Sequence, residues 1–197
     1  MIDRRSLIVT GLATLAAPAV LPARAHAAQA AQAAHAAQID PKFVPQQVGF
    51  TMAYPPGRLI VLPRAHFLYL VTAPGEARRY GVGVGRAGLA FTGTATIDVK
   101  KKWPTWRPTD EMIAREPEAY EKFIGNDYVQ PGGPENPLGS RALYLFQNGR
   151  DTYYRIHGTN QPASVGRSVS NGCIRMVNAH VQDLYKRVPT GTVVTVL

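Results

Sequence analysis

The stretch on which the reading of this chain turns is YYRIHGTNQPASVGRSVSNGCIRM, residues 153–176. Its first five residues alternate like a strand and end at His157, where Gly158, Thr159 and Asn160 turn the chain sharply out of a sheet. A loop with Pro162 and Gly166 returns to Ser170-Asn171-Gly172-Cys173, followed by the apolar–polar–apolar segment Ile174-Arg175-Met176. Cys173 is the only cysteine of the chain. A cysteine nucleophile needs its thiolate, and a neighbouring imidazole can take the proton. Acyl transfer also needs donors for a developing oxyanion, which backbone N–H groups near a flexible glycine supply. Sequence order alone leaves two readings open: a Cys173–His157 pair, or a buried structural thiol.

Outward from this stretch, short apolar runs between turn signals predict a β-rich domain. Strands are expected at Leu59–Leu62, Phe67–Val71, Arg78–Val84, Thr94–Lys100, Leu143–Gln147, Tyr153–Ile156 and Thr192–Val196. One helix is expected from a Thr109 or Asp110 cap to about Arg115, ahead of Pro117. A second is expected from an Asn178 cap through Val188, with Val181, Leu184, Tyr185 and Val188 on one face and Pro189 and Gly191 ending it. The long loop from Phe123 to Arg141 is a candidate wall or lid for a site, since structureless loops of this length in a compact domain are usually functional. Tyr54, Trp103, Trp106 and Tyr128 are candidate groove aromatics.

Gly83, Gly85 and Gly88 spell G-x-G-x-x-G after an expected strand. A dinucleotide site needs a helix starting in that motif, and LAFTGTATIDVK reads instead as turn and strand. No cofactor is therefore expected. No metal is expected either, because His35, His66, His157 and His180 show no ligand spacing with one another or with Cys173. His35, His66 and His180 read as surface residues.

The 197 residues suffice for one well-cored domain, and the formal net charge is +9. MIDRRSLIVTGLATLAAPAVLPARAHA, residues 1–27, has a charged start at Arg4 and Arg5, an apolar run from Leu7 to Leu21, and a small-x-small Ala25-His26-Ala27 site. This is the pattern of an export signal, with a twin-arginine flavour, and not of a membrane span. Taking three arginines and one aspartate from +9 leaves +7 after cleavage. Residues 28–40 form an Ala/Gln-rich spacer, and residues 41–197 form the folded domain. Export makes nucleic acid an unexpected partner and points the basic surface toward the cell envelope. It also leaves a lone cysteine nothing to pair with inside the chain.

HGTN, a loop, then SNGCIRM resembles the signature of the L,D-transpeptidases of the YkuD type, enzymes of bacterial cell-wall assembly. RRYGVGVGRAG with TGTATI, PTWRP, GGPENPLGSRALYL and DLYKRV extend the likeness from about Gly57 to Leu197. The resemblance implies a mainly β, sandwich- or barrel-like single domain with one or two short helices. It implies Cys173 as nucleophile, His157 as general base and acid, and the carbonyl of Gly158 orienting the imidazole in place of an acidic side chain. It further implies an oxyanion site at the amides of Asn171, Gly172 and Cys173, with Arg175 and Ser170 as substrate-binding candidates. The implied partners are peptidoglycan stem peptides, with a second stem or an envelope protein as acceptor, in the periplasm. Many members carry histidine where this chain has Asn171. The same residues also admit an L,D-carboxypeptidase, or a wall-binding module without catalysis.

Overall fold

The computed structural model describes residues 39–197. The expected export signal and nearly all of the spacer lie outside the described residues. In chain order the first strands are β1 (Gln46–Gly49), β2 (Leu59–Leu62), β3 (Phe67–Ala73), β4 (Glu76–Gly81), β5 (Val84–Gly85) and β6 (Gly93–Lys102). Helix α1 (Asp110–Arg115) precedes β7 (Arg141–Gln147), β8 (Arg150–His157), β9 (Ser168–Ser170) and β10 (Ile174–Arg175). Helix α2 (Asn178–Arg187) and β11 (Val193–Val196) complete the chain.

Nine strands form one mixed sheet in the order β1-β4-β3-β2-β11-β6-β7-β8-β10, while β5 and β9 pair separately. The pairs β3–β4, β6–β7 and β7–β8 are antiparallel; β11 on β2 and β10 on β8 are parallel. Leu59, Leu68, Tyr80, Ile97, Leu143, Leu145, Ile156 and Met176 are wholly buried in one cluster, with Val181 and Leu184 of α2 closing it. At about 2 kcal/mol for each large apolar side chain removed from water, this cluster dominates the fold's stability. The chain leaving β4 then meets the far end of the sheet, where Gly83 and Arg175 exchange both backbone hydrogen bonds at 2.8 Å. That contact curls the sheet toward a barrel and covers the last, two-residue strand, which on its own would be an open edge.

Most expected strands are present. The run Arg78–Val84 is broken after Gly81: Val82 N–H still donates to His66 O, but the Val82 carbonyl accepts from Gly166 N–H and Gly83 turns to bond Arg175. Strands β1, β9 and β10 were not expected; all three are short, β1 and β9 are mostly polar, and tertiary pairing makes them strands. Thr109 caps α1, its hydroxyl accepting from Met112 N–H at 3.3 Å. Asn178 does not cap α2. Val177 occupies that position without a side-chain cap, and the Asn178 amide is committed elsewhere. His180 is buried, 8% exposed, contrary to its reading as a surface residue, because the first turn of α2 packs onto the sheet.

Candidate active site

Strand β8 ends at His157 and β10 begins one residue after Cys173, and the two strands pair with Ile174 opposite Ile156 and Arg175 opposite His157. Ile156 and Ile174 both point into the core. Side chains alternate along a strand, so Arg155 and His157 on β8, with Cys173 just before β10 and Arg175 in it, all turn to the other face. There they line one groove of about 980 Å³ with Trp106, Met112, Arg115, Tyr120, Asn171 and Gln161. The buried isoleucines thus fix which residues can meet.

The imidazole is held from behind. His157 Nδ1 lies 2.5 Å from Gly158 O, and a carbonyl can only accept, so Nδ1 carries the hydrogen and Nε2 keeps its lone pair. The HGT turn is fixed in turn by Asn178, whose amide accepts from Ser140 N–H at 2.9 Å and donates to Thr159 O at 3.1 Å. A Cβ on Gly158 would run into Asn178 Oδ1, so only glycine fits beside the histidine. Burial, then the charge of Arg175, pushes the His157 pKa down to about 3, with the Gly158 bond opposing. Burial also pushes the Cys173 thiol up; a backbone hydrogen bond at Arg155 and the charges of Arg155 and Arg175 pull the other way. Both groups therefore rest neutral in the one groove, not as an ion pair, and among the described residues no hydrogen bond joins the thiol to the imidazole. Cys173 Sγ–H donates to Tyr153 O at 3.8 Å.

The turn before the cysteine is rigid. Gly172 sits at φ +119, and a Cβ there would meet Leu89 O at 2.6 Å and the Tyr154 ring. Ser170 Oγ–H donates to Cys173 O at 2.6 Å and accepts from Gly172 N–H at 3.1 Å. Ser170 lies at the groove wall, wholly buried, and its hydroxyl is used inside the turn as a loop brace. Of the three amides expected to form an oxyanion site, that of Gly172 is engaged. Those of Asn171 and Cys173 donate to no acceptor among the described residues. The side chain of Asn171 ties the turn to the segment above it: Nδ2 donates to Tyr120 OH at 2.9 Å, while Oδ1 accepts from Arg115 at 3.1 Å and from Arg86.

Sequence reasoning missed Arg155, Tyr153 and Asp151. Between Phe146–Asp151 and Tyr144–Arg155, one residue of β7, Leu145, faces three of β8, Thr152 to Tyr154. In a regular strand residues 151 and 155 would stand about 13 Å apart. The bulge instead brings Asp151 onto Arg155 as a bidentate pair at 2.6 and 2.7 Å, and puts Tyr153 at φ +61 with its carbonyl toward the thiol. No spacing rule announces such a bulge. Of the aromatics proposed for the groove, Trp106 lines it. Tyr54 packs on the Phe50 cluster, Tyr128 stacks on Phe123, and Trp103 is 44% exposed. Of the Phe123–Arg141 loop, the candidate wall or lid, Pro137 and Leu138 line the groove, joined by residues 105–112. Among the described residues no group of three or more His, Cys, Asp or Glu converges as a metal site.

A family model described as "L,D-transpeptidase catalytic domain" matches residues 56–196. The probable L,D-transpeptidase YbiS of Escherichia coli K12 is 40% identical over 113 residues, 56% of this chain and 34% of that protein. The putative L,D-transpeptidase YkuD of Bacillus subtilis is 34% identical over 140 residues, 71% of this chain and 75% of that one. The chain spans less than half the length of its Escherichia coli K12 relatives, 34 to 48%. Among solved structures, a Brucella melitensis chain described as a probable carnitine operon oxidoreductase is 54% identical with a TM-score of 0.54, over 82% of this chain and 96% of that one. L,D-transpeptidase 3 from Mycobacterium tuberculosis shares the fold alone, at 14% identity and a TM-score of 0.50, over 92% of this chain and 89% of that one.

Proposed function

Because this chain belongs to the family of L,D-transpeptidase catalytic domains, we propose that it is an exported, cysteine-dependent acyltransferase of the cell wall, acting on peptidoglycan stem peptides. The observation that carries the reading is the shared groove of Cys173 and His157, with the imidazole held as a base by Gly158 O. Residues 41–197 form the catalytic domain, preceded by the signal and spacer. The oxidoreductase description of the Brucella chain is not carried over, since Gly83, Gly85 and Gly88 lead into β6 and not into the helix that seats a pyrophosphate.

The Cys173 sulfur attacks the carbonyl of the stem's third residue, and His157 Nε2 takes the thiol proton as the S–C bond forms. Since both groups rest neutral, proton transfer and attack proceed together. The tetrahedral oxyanion is met by the amides of Cys173 and Asn171, which have no other acceptor among the described residues. The C–N bond breaks, the terminal residue leaves as an amine carrying the His157 proton, and a thioester remains. An acceptor amine from a second stem or an envelope protein then attacks the thioester. It gives its proton to His157, and the sulfur is released and reprotonated.

Purified protein incubated with tetrapeptide wall fragments tests this. Cross-linked dimers with release of the terminal residue are the expected products, absent with Cys173→Ala. Trimmed monomers alone would make the protein an L,D-carboxypeptidase. Intact fragments that bind without reacting would make it a wall-binding module.

A further inference from the structure

Three guanidinium groups close to Cys173 carry their own carboxylates or share one: Arg155 pairs with Asp151, and Arg86 and Arg115 meet Glu116. Arg175 does not. Its only side-chain partner among the described residues is Gln161 Oε1, at 3.4 Å, and no carboxylate lies within ion-pair distance. Yet Arg175 is half-buried in the groove wall, with its backbone bonded on one side to Gly83. A partly desolvated cation lacking a counter-ion is costly unless something anionic arrives to meet it.

Resting on the acyl-transfer reading above, we infer that Arg175 anchors the free carboxylate of the residue that leaves. The leaving amine is protonated by His157. On any amino acid the carboxylate carbon stands only about 2.5 Å from that nitrogen. The side chain that should meet the carboxylate is therefore the nearest neighbour of His157 on the adjoining strand, about 4.8 Å across the ladder, and that residue is Arg175. A guanidinium presents two parallel donors to a carboxylate, a fit that neither an amide nor a further peptide bond reproduces. Pairing has a second consequence. The Arg175 charge helps hold the basicity of His157 down, so a bound carboxylate relieves that effect only when a correct donor is present.

The test compares three tetrapeptide-derived donors: the free acid, its C-terminal primary amide, and a stem longer by one residue. Binding is measured by calorimetry on Cys173→Ala, so that turnover is not needed, and kcat/KM is measured on the unaltered protein. The free acid should bind about 10- to 100-fold more tightly than the amide, as for one charged hydrogen-bonded pair. Arg175→Gln in the Cys173→Ala background should bring that ratio to near one, and Arg175→Lys should restore part of it. Equal binding of acid and amide to Cys173→Ala overturns the inference whether or not the Arg175 variants fold. An unchanged ratio in a folded Arg175→Gln variant overturns it too. A clear preference for the acid without any turnover would leave the anchor standing and remove the transferase.

Discussion

At the residue scale the proposed nucleophile and the proposed base both rest uncharged. Burial holds the His157 pKa down to about 3, so the imidazole is unprotonated near neutrality, and burial keeps the thiol protonated past its ordinary range. Since kcat/KM reports the free enzyme's essential groups, its pH profile should show no acid limb near the usual imidazole value of about 6.5. It should stay flat through neutrality, and a limb between pH 6 and 7 in that profile would contradict the neutral pair. Replacing His157 with Gln should lower kcat/KM by about 10² to 10⁴-fold while leaving the fold intact by circular dichroism. The motif residues themselves were legible in the sequence, because a histidine at a strand end and a cysteine after glycine are local features. The engagement of Ser170 and Gly172 within the turn was not, since it depends on side-chain directions that residue order does not encode.

At the element scale, two devices aim those residues. The bulge in β8 folds Asp151 onto Arg155 and turns Tyr153 O toward Cys173. Asp151→Ala removes the pair and also the acceptor of Tyr153 N–H at 2.8 Å. It should lower kcat by about tenfold, a cost in line with misplacing a reacting group, with KM changed much less. An equal rise in KM at constant kcat would mean that the bulge binds substrate and does not position the thiol. Asn178 is the second device. Its replacement by Ala leaves the amide of Ser140 and the carbonyl of Thr159 without their partner, a loss of about 1 to 3 kcal/mol measurable by urea unfolding. Sequence periodicity located β2, β7 and α2, whose apolar faces dictate them, while a cap residue and a following proline located α1, which buries no side chain. It could not locate β10, two residues long, and it took Asn178 for a helix cap because the same residue type serves both uses.

At the scale of the whole molecule, the sheet curls until the chain leaving β4 reaches β10, and the groove opens beside that seam. Among the described residues no helix is long and apolar enough to cross a membrane. The fold also buries two histidines. His157 is held down to about 3, and His180, whose Nδ1 finds no partner among the described residues, to about 4 chiefly by burial. Unfolded, both take a proton near pH 6.5; folded, they take it only near 3 and 4. The unfolded state thus binds more protons between those values, and the stability these residues contribute is whole above about pH 6.5 and lost as pH falls. The melting temperature should drop between pH 7 and pH 4, by a loss of a few kcal/mol in stability. His180→Gln should flatten part of the slope; the same drop in that variant and in the parent would show that His180 does not contribute.

The proposed role of Cys173 as carrier of the acyl group is tested by intact-mass spectrometry of the protein quenched during turnover of a tetrapeptide donor. The mass of the stem less its terminal residue should appear on the protein, map to Cys173, vanish in Cys173→Ala, and accumulate far more slowly in His157→Gln. Continued acylation or dimer formation by Cys173→Ala would contradict it.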